Sequence, residues 1–402
     1  MKYNYDKKLL KPLGVGPFLG QVKLREKMIA EASDAPSASI FNANILGKQL
    51  HPHVQYAKIA KVADHGNAKS FTLVPDADKG TEQLAYFRAG QYVSIALDIG
   101  EAKLNKPYTI RSCPKDALNG SYTITVKRSP NGFASDYILD NWQEGTTVKL
   151  SAPLGEFYHQ ELRDAAHVIA LAGGSGITPF YSMAAAIADG TEDFTLTILY
   201  GSRTKDAILL KDELDEVAAR ANGKVKIVHV LSHEEAEGCE HGFLTADLIK
   251  KYAPEGDYSL FLCGPKGMYA FAGQELPKLG LKARRIRKEL PGEYGDPTKD
   301  AAYPAEAAGK TYQITVIVRD QTQVVPCRAD QTLLDAMEKA GIRAPSHCRS
   351  GECGWCHSRL VSGDVYIPED TDGRRLADKK FGWLHPCCSY PISDVTLEVP
   401  VP

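Results

Sequence analysis

Three cysteines crowd into the stretch APSHCRSGECGWCHSRLVSGDV, residues 344–365, and an adjacent pair, Cys387 and Cys388, follows in HPCCSYP. Cys348, Cys353 and Cys356 are spaced C-x4-C-x2-C, and with a distant fourth thiolate that is the spacing in which cysteines hold a [2Fe–2S] cluster. Gly351 and Gly354 fit the same reading, because backbone N–H groups must turn inward to negatively charged sulfurs through positive-φ turns. Three other readings compete. CGWCH matches the attachment site of c-type haem, but that use leaves Cys348 and the late cysteines idle and needs an exported protein. Tetrahedral zinc draws on two close ligand pairs, and here one pair stands with a single outlier. Unliganded core cysteines would not gather in a polar, glycine-bearing loop. The residues therefore point to one-electron chemistry, with either Cys387 or Cys388 as the fourth ligand.

Further stretches could bind anions or aromatic rings. LAGGSGITPF, residues 171–180, follows an apolar strand with a glycine turn and a helix start. Gly174, Ser175, Gly176, Thr178 and Pro179 then form a phosphate cradle of backbone N–H groups at the positive end of a helix dipole. Pro179 at its close departs from the G-x-G-x-x-G fingerprint. In LFLCGPKGM, Cys263 ends another apolar strand and leads into Gly264 and Pro265, at the sheet edge where doubly wound folds bind ligands. Lys106, Pro107, Tyr108 and Thr109 of NKPYTIRSC offer a cation, a flat ring and a hydroxyl. VKRSPNGFASDYILDN carries Val126 and Lys127, then Gly132, Phe133, Ala134 and Ser135 at a helix start suited to pyrophosphate. A tight turn or a core tyrosine would look much the same singly; their order along the chain carries the argument.

The elements that must position these residues fall into distinct segments. Residues 1–52 are a polar extension with a helix expected through QVKLREKMIAEA. Residues 53–162 hold short alternating runs (QYAKIAKV, KSFTLVPD, GQYVSIALDI, KPYTIRSC, SYTITVKR, TTVKLSAP), the pattern of an antiparallel β-barrel. Residues 163–291 alternate apolar strands with helices such as LLKDELDEVAARA, the pattern of a doubly wound α/β domain. Residues 292–309 are rich in Pro, Gly, Ala and charge and read as a linker. Residues 310–402 open with a hairpin and a helix before the cysteine loop, as an α+β domain. At 402 residues the chain has room for several cores, and 48 basic against 50 acidic residues leave no basic face for nucleic acid. No apolar run reaches membrane-spanning length, and the lysine-bearing start lacks a signal-peptide core. A cytosolic chain is expected, in which nine cysteines are better read as metal-binding or catalytic than as disulfides.

The last ninety or so residues resemble plant-type ferredoxins, through CRSGECGWC, RLVSGDV and CCSYP. That resemblance implies a β-grasp fold and, because the family's fourth ligand lies four residues before a proline, selects Cys387, which so precedes Pro391. The succession KPYTIRS, GFAS, GGSGITP, CGP resembles the ferredoxin–NADP reductase superfamily. Taken with the C-terminal ferredoxin, the chain from about Val54 onward is similar to single-chain oxygenase reductases of the phthalate dioxygenase reductase type. The resemblance implies Tyr108 against an isoalloxazine, Thr109 near its N5, and Lys106, where relatives carry arginine, at a flavin phosphate. GFAS favours FAD, while the lysine leaves room for FMN. Gly174 to Pro179 would bind NADH or NADPH, Cys263 would sit near the nicotinamide, and Ser202 and Arg203 near the adenosine ribose. Relatives place an aromatic residue over the flavin after a glutamate; here Glu289 is followed by Leu290, leaving Tyr294 or no residue in that place.

Electron counting joins the parts. NAD(P)H gives a hydride, two electrons together, and a [2Fe–2S] cluster takes one, so a flavin between them is the converter. The expected activity is an NAD(P)H-dependent reductase delivering electrons to a separate protein whose identity the residues leave open. The alternative is a redox-sensing subunit of a larger complex, docked through residues 1–52.

Overall fold

A computed structural model of the chain describes residues 15–32, 41–129, 132–289, 292–293 and 295–401. The N-terminal segment, through Gly47, forms a unit of its own. Its helix Val15–Ala30 covers most of the expected stretch, and a second helix, Asn42–Leu50, had no clear signal in the sequence.

The first domain is a six-stranded antiparallel sheet of β1 (Gln55–Asp64), β2 (Ala68–Pro75), β3 (Tyr92–Ile99), β4 (Ala102–Thr109), β5 (Tyr122–Lys127) and β6 (Thr147–Leu150). Their order is β4-β3-β6-β1-β2-β5. The alternation in QYAKI turns Gln55, Ala57 and Ile59 inward, onto a core with Phe71, Ile95, Tyr122 and Trp142. The edges β4 and β5 meet only past the end of β4, where the Arg111 N–H donates to the Thr123 carbonyl at 2.7 Å. The sheet is thus a curled half-barrel, closed at one end.

The second domain is parallel throughout: β7 (His167–Gly173), β8 (Thr195–Ser202), β9 (Val225–Leu231), β10 (Glu240–His241), β11 (Ser259–Cys263) and β12 (Ile286–Lys288). Along β7, Val168, Ala170 and Ala172 face one core, while Ile169 and Leu171 face another. Helices cover both faces, which is why the strand reads as a continuous apolar run. The order β10-β9-β8-β7-β11-β12 reverses direction between β7 and β11. Ligands bind at the carboxyl ends of strands at such a reversal.

The third domain mixes strand directions. β13 (Thr311–Val318) and β14 (Gln321–Arg328) form the hairpin, and β15 (Ser358–Ser362), β17 (Trp383–Leu384) and β19 (Val395–Glu398) complete the sheet in the order β14-β13-β19-β15-β17. β13 and β19 are parallel, and β16 (Val365–Tyr366) pairs separately with β18 (Tyr390–Pro391). Helix Leu333–Lys339 packs Leu333, Leu334 and Met337 on this sheet. The segment read as a linker is not slack: Tyr303 and Ala307 are buried against Ala329, and the Tyr303 hydroxyl donates to the Ala329 carbonyl at 3.1 Å.

Candidate functional site

At the strand-order reversal, the ends of β7 and β11 lie side by side, with Cys263 paired to Ala172. Glycine makes the junction possible. A Cβ on Gly176 would lie 2.2 Å from the Cys263 carbonyl oxygen, and one on Gly264 would lie 2.5 Å from the Met268 sulfur. Gly174 has a φ of 55°, and its carbonyl accepts the Tyr200 hydroxyl at 2.9 Å. Helix Thr178–Ala188 follows with Pro179 in its first turn, where a proline's missing N–H costs nothing. The Thr178 hydroxyl donates to the Ser175 carbonyl at 3.0 Å. Lys127, at the end of β5, brings its ammonium within 3.6 Å of where a Gly174 Cβ would stand, so the first domain's cation faces the second domain's anion cradle. The Ser202 hydroxyl is buried beside the Tyr200 phenol, while Arg203 is exposed.

Glu289 is drawn under β11 by its N–H, which donates to the Leu262 carbonyl at 2.9 Å. Burial first, and the charge of Glu289 second, push the Cys263 thiol well above the ordinary range, so it is a neutral thiol. Leu290, Pro291 and Tyr294 lie outside the described residues, and with them the question of the aromatic cap.

On the half-barrel, Lys106, Pro107, Tyr108 and Thr109 end the edge strand β4. Tyr108 packs partly against the barrel core. Gly132 precedes helix Phe133–Asn141, and a Cβ there would lie 2.1 Å from the Ser135 hydroxyl oxygen. That hydroxyl donates to the Gly132 carbonyl at 3.1 Å, with Ala134 buried behind it. Lys106 Nζ reaches Glu293 Oε1 at 2.6 Å, so the cation expected at a flavin phosphate is engaged by a carboxylate from beyond the nucleotide domain.

Tyr92 has no signal in the sequence, yet it stands at the centre. It pairs across the sheet with Thr109 and is 7% exposed. Gly155 makes room for its ring, since a Cβ there would lie 2.8 Å from it. Burial raises its phenol above the usual value, and charge at Cys348, at Cys353 and at Glu289 raises it further. The cysteine loop and the nucleotide domain therefore both come within electrostatic reach of one residue on the flavin strand pair.

In the third domain the structure gathers the four thiols. Cys356 Sγ and Cys387 Sγ are 3.4 Å apart. Cys348 is held well below its ordinary range by the thiols of Cys353 and then Cys387, while those two partners are pushed up. The sulfurs thus crowd one another until they cannot all carry charge, a set that wants a cationic centre between them. Backbone N–H groups already point at them: Ser350 and Cys353 donate to Cys348 Sγ at 3.4 Å each, and Trp355 donates to Cys353 Sγ at 3.5 Å. Gly351 and Gly354 adopt φ of 80° and 70° to permit this. Cys353 is exposed, and Cys348, Cys356, Cys387 and Cys388 are buried. Cys388 keeps its sulfur against Gly351 of the loop, its thiol donating to the His385 carbonyl at 3.4 Å. Donor set and turned-in amides fit an iron–sulfur cluster.

Comparison with known proteins gives the same order of parts. Residues 67–159 match the oxidoreductase FAD-binding domain family, residues 170–274 the oxidoreductase NAD-binding domain family, and residues 316–392 the 2Fe-2S iron-sulfur cluster binding domain family. The chain is 31% identical over 357 residues to the ferredoxin reductase component of the Mycobacterium tuberculosis 3-ketosteroid-9-alpha-monooxygenase, covering 86% of this chain and 95% of that one. It is 29% identical over 333 residues to the glycine betaine monooxygenase reductase subunit of Pseudomonas aeruginosa, covering 78% and 88%. Among solved structures, phthalate dioxygenase reductase shares the fold with a TM-score of 0.63 at 24% identity, covering 87% of this chain and 98% of that one. The chain belongs to the ferredoxin–NADP reductase superfamily, in its phthalate dioxygenase reductase-like branch with a C-terminal plant-type ferredoxin domain, and is an NAD(P)H-dependent oxidoreductase that passes electrons through FAD and a [2Fe–2S] cluster to a protein acceptor.

Proposed function

We propose that the acceptor is the oxygenase component of a monooxygenase system, and that the residues around Tyr92 perform the transfer. Relatives named as reductase parts of monooxygenases support the first half. The observation that carries the second is the seating of the cysteine loop on the flavin strand, where Arg349, next to Cys348, donates to the Asn105 carbonyl at 3.1 Å on the strand whose Thr109 pairs with Tyr92.

Bound FAD supplies the conversion between a hydride and single electrons, and the cluster holds one electron at a time. The rest is the work of this chain's residues. Backbone N–H groups of Gly174 to Thr178, backed by the helix dipole, take the dinucleotide's pyrophosphate. Ser202 takes the adenosine ribose, and Arg203 closes over it from solvent. Cys263, Gly264 and Pro265 form one wall of the nicotinamide pocket: an uncharged thiol gives soft packing without placing an anion beside a hydride donor. Glu289 sets the charge at that junction. Tyr108 offers its face to the isoalloxazine, Thr109 its hydroxyl, and Gly132 to Ser135 with Val126 and Lys127 take the flavin's pyrophosphate end. Cys348, Cys353, Cys356 and Cys387 hold the iron. A cytosolic setting is part of this proposal, since thiols that hold iron must stay reduced. Among the described residues no helix is long and apolar enough to cross a membrane.

The test is direct. Purified chain should carry one FAD and two irons, be reduced by NADH or NADPH, and support turnover when mixed with a monooxygenase's oxygenase component. Stoichiometric zinc without iron would end the cluster assignment; reduction of small acceptors without turnover by any oxygenase component would end the partner assignment.

A further inference from the structure

Between the half-barrel and the ferredoxin domain lies a buried set of charges that neither prosthetic group requires. Arg349, next to Cys348, is 2% exposed, and Glu338, on helix Leu333–Lys339, is 0% exposed. Arg349 Nη1 donates to Glu338 Oε1 at 2.7 Å and to the Asn105 carbonyl at 3.1 Å. The Asn105 N–H donates in turn to Glu338 Oε1 at 3.3 Å. Glu293 lies across the same junction, its carboxylate accepting from Arg349 Nε and from Lys106 Nζ. Asn105 is on β4, an edge strand, so its outward N–H and C=O would otherwise face solvent or be buried unpaired.

The backbone of Arg349 says which part of the residue matters. Its φ is 57°, in the left-handed region where side chains other than glycine's are strained. A glycine would suit the loop better. An arginine persists there where its side chain compensates, and the side chain spends its bonds on the flavin domain's edge strand. Both carboxylates in reach are paired with it. A planar fork that bonds two carboxylates and a carbonyl at once is a task lysine cannot match.

We propose that Arg349, with Glu338, is the positioning pair for electron transfer from flavin to cluster: it clamps the loop carrying Cys348 onto the strand carrying Tyr108 and Thr109. This rests on the assignment of those residues to the cluster and the flavin. The step itself moves one electron from reduced flavin to oxidised cluster, with no bond or proton passing through the clamp. Arg349 touches neither reacting centre in this role; it fixes the distance between them.

The experiment uses the full holo chain, with wild type as reference, and two variants: Arg349→Gly/Glu338→Leu and Arg349→Lys. Glycine suits the loop's φ, and leucine leaves no orphaned buried carboxylate, so the double variant keeps its fold. Stopped-flow absorbance separates reduction of the flavin by NAD(P)H from reduction of the cluster, and amide exchange by mass spectrometry reads residues 102–109. In the double variant, flavin reduction should stay within about twofold of wild type while cluster reduction slows roughly tenfold to a hundredfold, the scale expected of ångström misplacement. Exchange at Asn105 should rise, the cluster's electron paramagnetic resonance spectrum should be unchanged, and Arg349→Lys should fall between. Faster exchange with unaltered cluster reduction would show a contact that positions nothing. Unchanged exchange would show no clamp at all, and a changed cluster spectrum or an equal loss of flavin reduction would place the effect elsewhere; each overturns the proposal. A wild-type chain lacking flavin or cluster would instead sink the underlying assignment, which the exchange measurement reads independently.

Discussion

The half-barrel meets its two neighbours through opposite chemistry. Toward the nucleotide domain the crevice is shaped by what is missing: Gly174 faces Lys127 across it, Gly176 lies against the Cys263 carbonyl on its nucleotide side, and Gly155 makes room for Tyr92 on its barrel side. Toward the ferredoxin domain the contact is filled with charge, Arg349, Glu338, Glu293 and Lys106. The difference follows from what crosses each border. A dinucleotide must enter, bring one carbon against the flavin, and leave, so that border needs backbone surfaces and an open crevice, and an ion pair that spans it, Arg88 with Glu192, is long at 3.9 Å. The cluster never leaves. Its border can be a closed clamp, because a buried ion pair with all partners present holds one geometry, while loss of one partner costs about 3–5 kcal/mol.

The largest effect expected from breaking one border and sparing the other comes at the cluster itself. Cys387→Ser should lower iron occupancy or alter the resonance spectrum and cut reduction of cytochrome c roughly a hundredfold, on the scale of losing an essential group. Flavin reduction by NAD(P)H should survive, because none of its residues is touched. Cys388→Ser should keep a normal cluster, since that thiol bonds the His385 carbonyl. The reverse pattern would move the fourth ligand to Cys388 and leave the electron route as drawn.

On the nucleotide side the sharpest probe is Gly176→Ala. Its methyl would stand 2.2 Å from the Cys263 carbonyl oxygen, a backbone atom that cannot swing aside, at an overpacking cost of about 1–3 kcal/mol. The KM for NAD(P)H should rise about tenfold or more, with the dithionite-reduced cluster spectrum unchanged. A normal KM would mean that the two turns can part without harm, and the border would not be the close fit described. Cys263→Ala should do less. It removes packing beside the nicotinamide and no hydrogen bond to substrate, so flavin reduction should slow by about tenfold at constant flavin content. Unchanged reduction kinetics would remove Cys263 from the pocket.

How much of this was legible beforehand divides along the same line. The glycine turns and the cysteine spacing are local: each is read from residue types a few positions apart. The clamp is not local. Asn105 meets Glu338 and Arg349 across 233 and 244 residues, and an asparagine on an edge strand carries no mark of its distant partner. Tyr92 was invisible for another reason, since a tyrosine in an alternating strand looks like core until the loops around it are placed. Lys106 was noticed as a cation at the flavin strand, but its pairing with Glu293 depends on a segment that read as linker. The short strands β10 and β12 escaped because two or three residues show no period. The half-barrel closes at one end only because β4 stops before Arg111, which alternation alone cannot foresee.

The smallest expected effect, and the one that separates the domains by stability, is in their response to acid. His167 and His229 lie in the nucleotide domain's sheet, and burial lowers the basicity of both. His229 is 9% exposed, and neither of its ring nitrogens has a partner. A group whose folded-state pKa lies below its unfolded value, near 6.5 for histidine, contributes its full stability above that value. As pH falls below 6.5 the unfolded state takes up protons first, and stability drains away. In the ferredoxin domain His347 is lowered by burial to about 4 and drains stability in the same way, while Asp372, held low by Arg374, and Asp378, held low by Arg375, are depressed carboxylates. Their contribution persists until pH approaches the unfolded carboxylate value, near 4. Between pH 7 and 5, then, calorimetry of the holo chain should show the nucleotide domain's transition moving down by a few degrees, and the ferredoxin domain's, followed by loss of cluster absorbance, moving down through its own buried histidine, His347. His229→Gln should flatten the first shift and leave the second alone. If His229→Gln flattens both shifts, unfolding is a single cooperative event, and the charged border couples the domains more tightly than the glycine-lined crevice divides them.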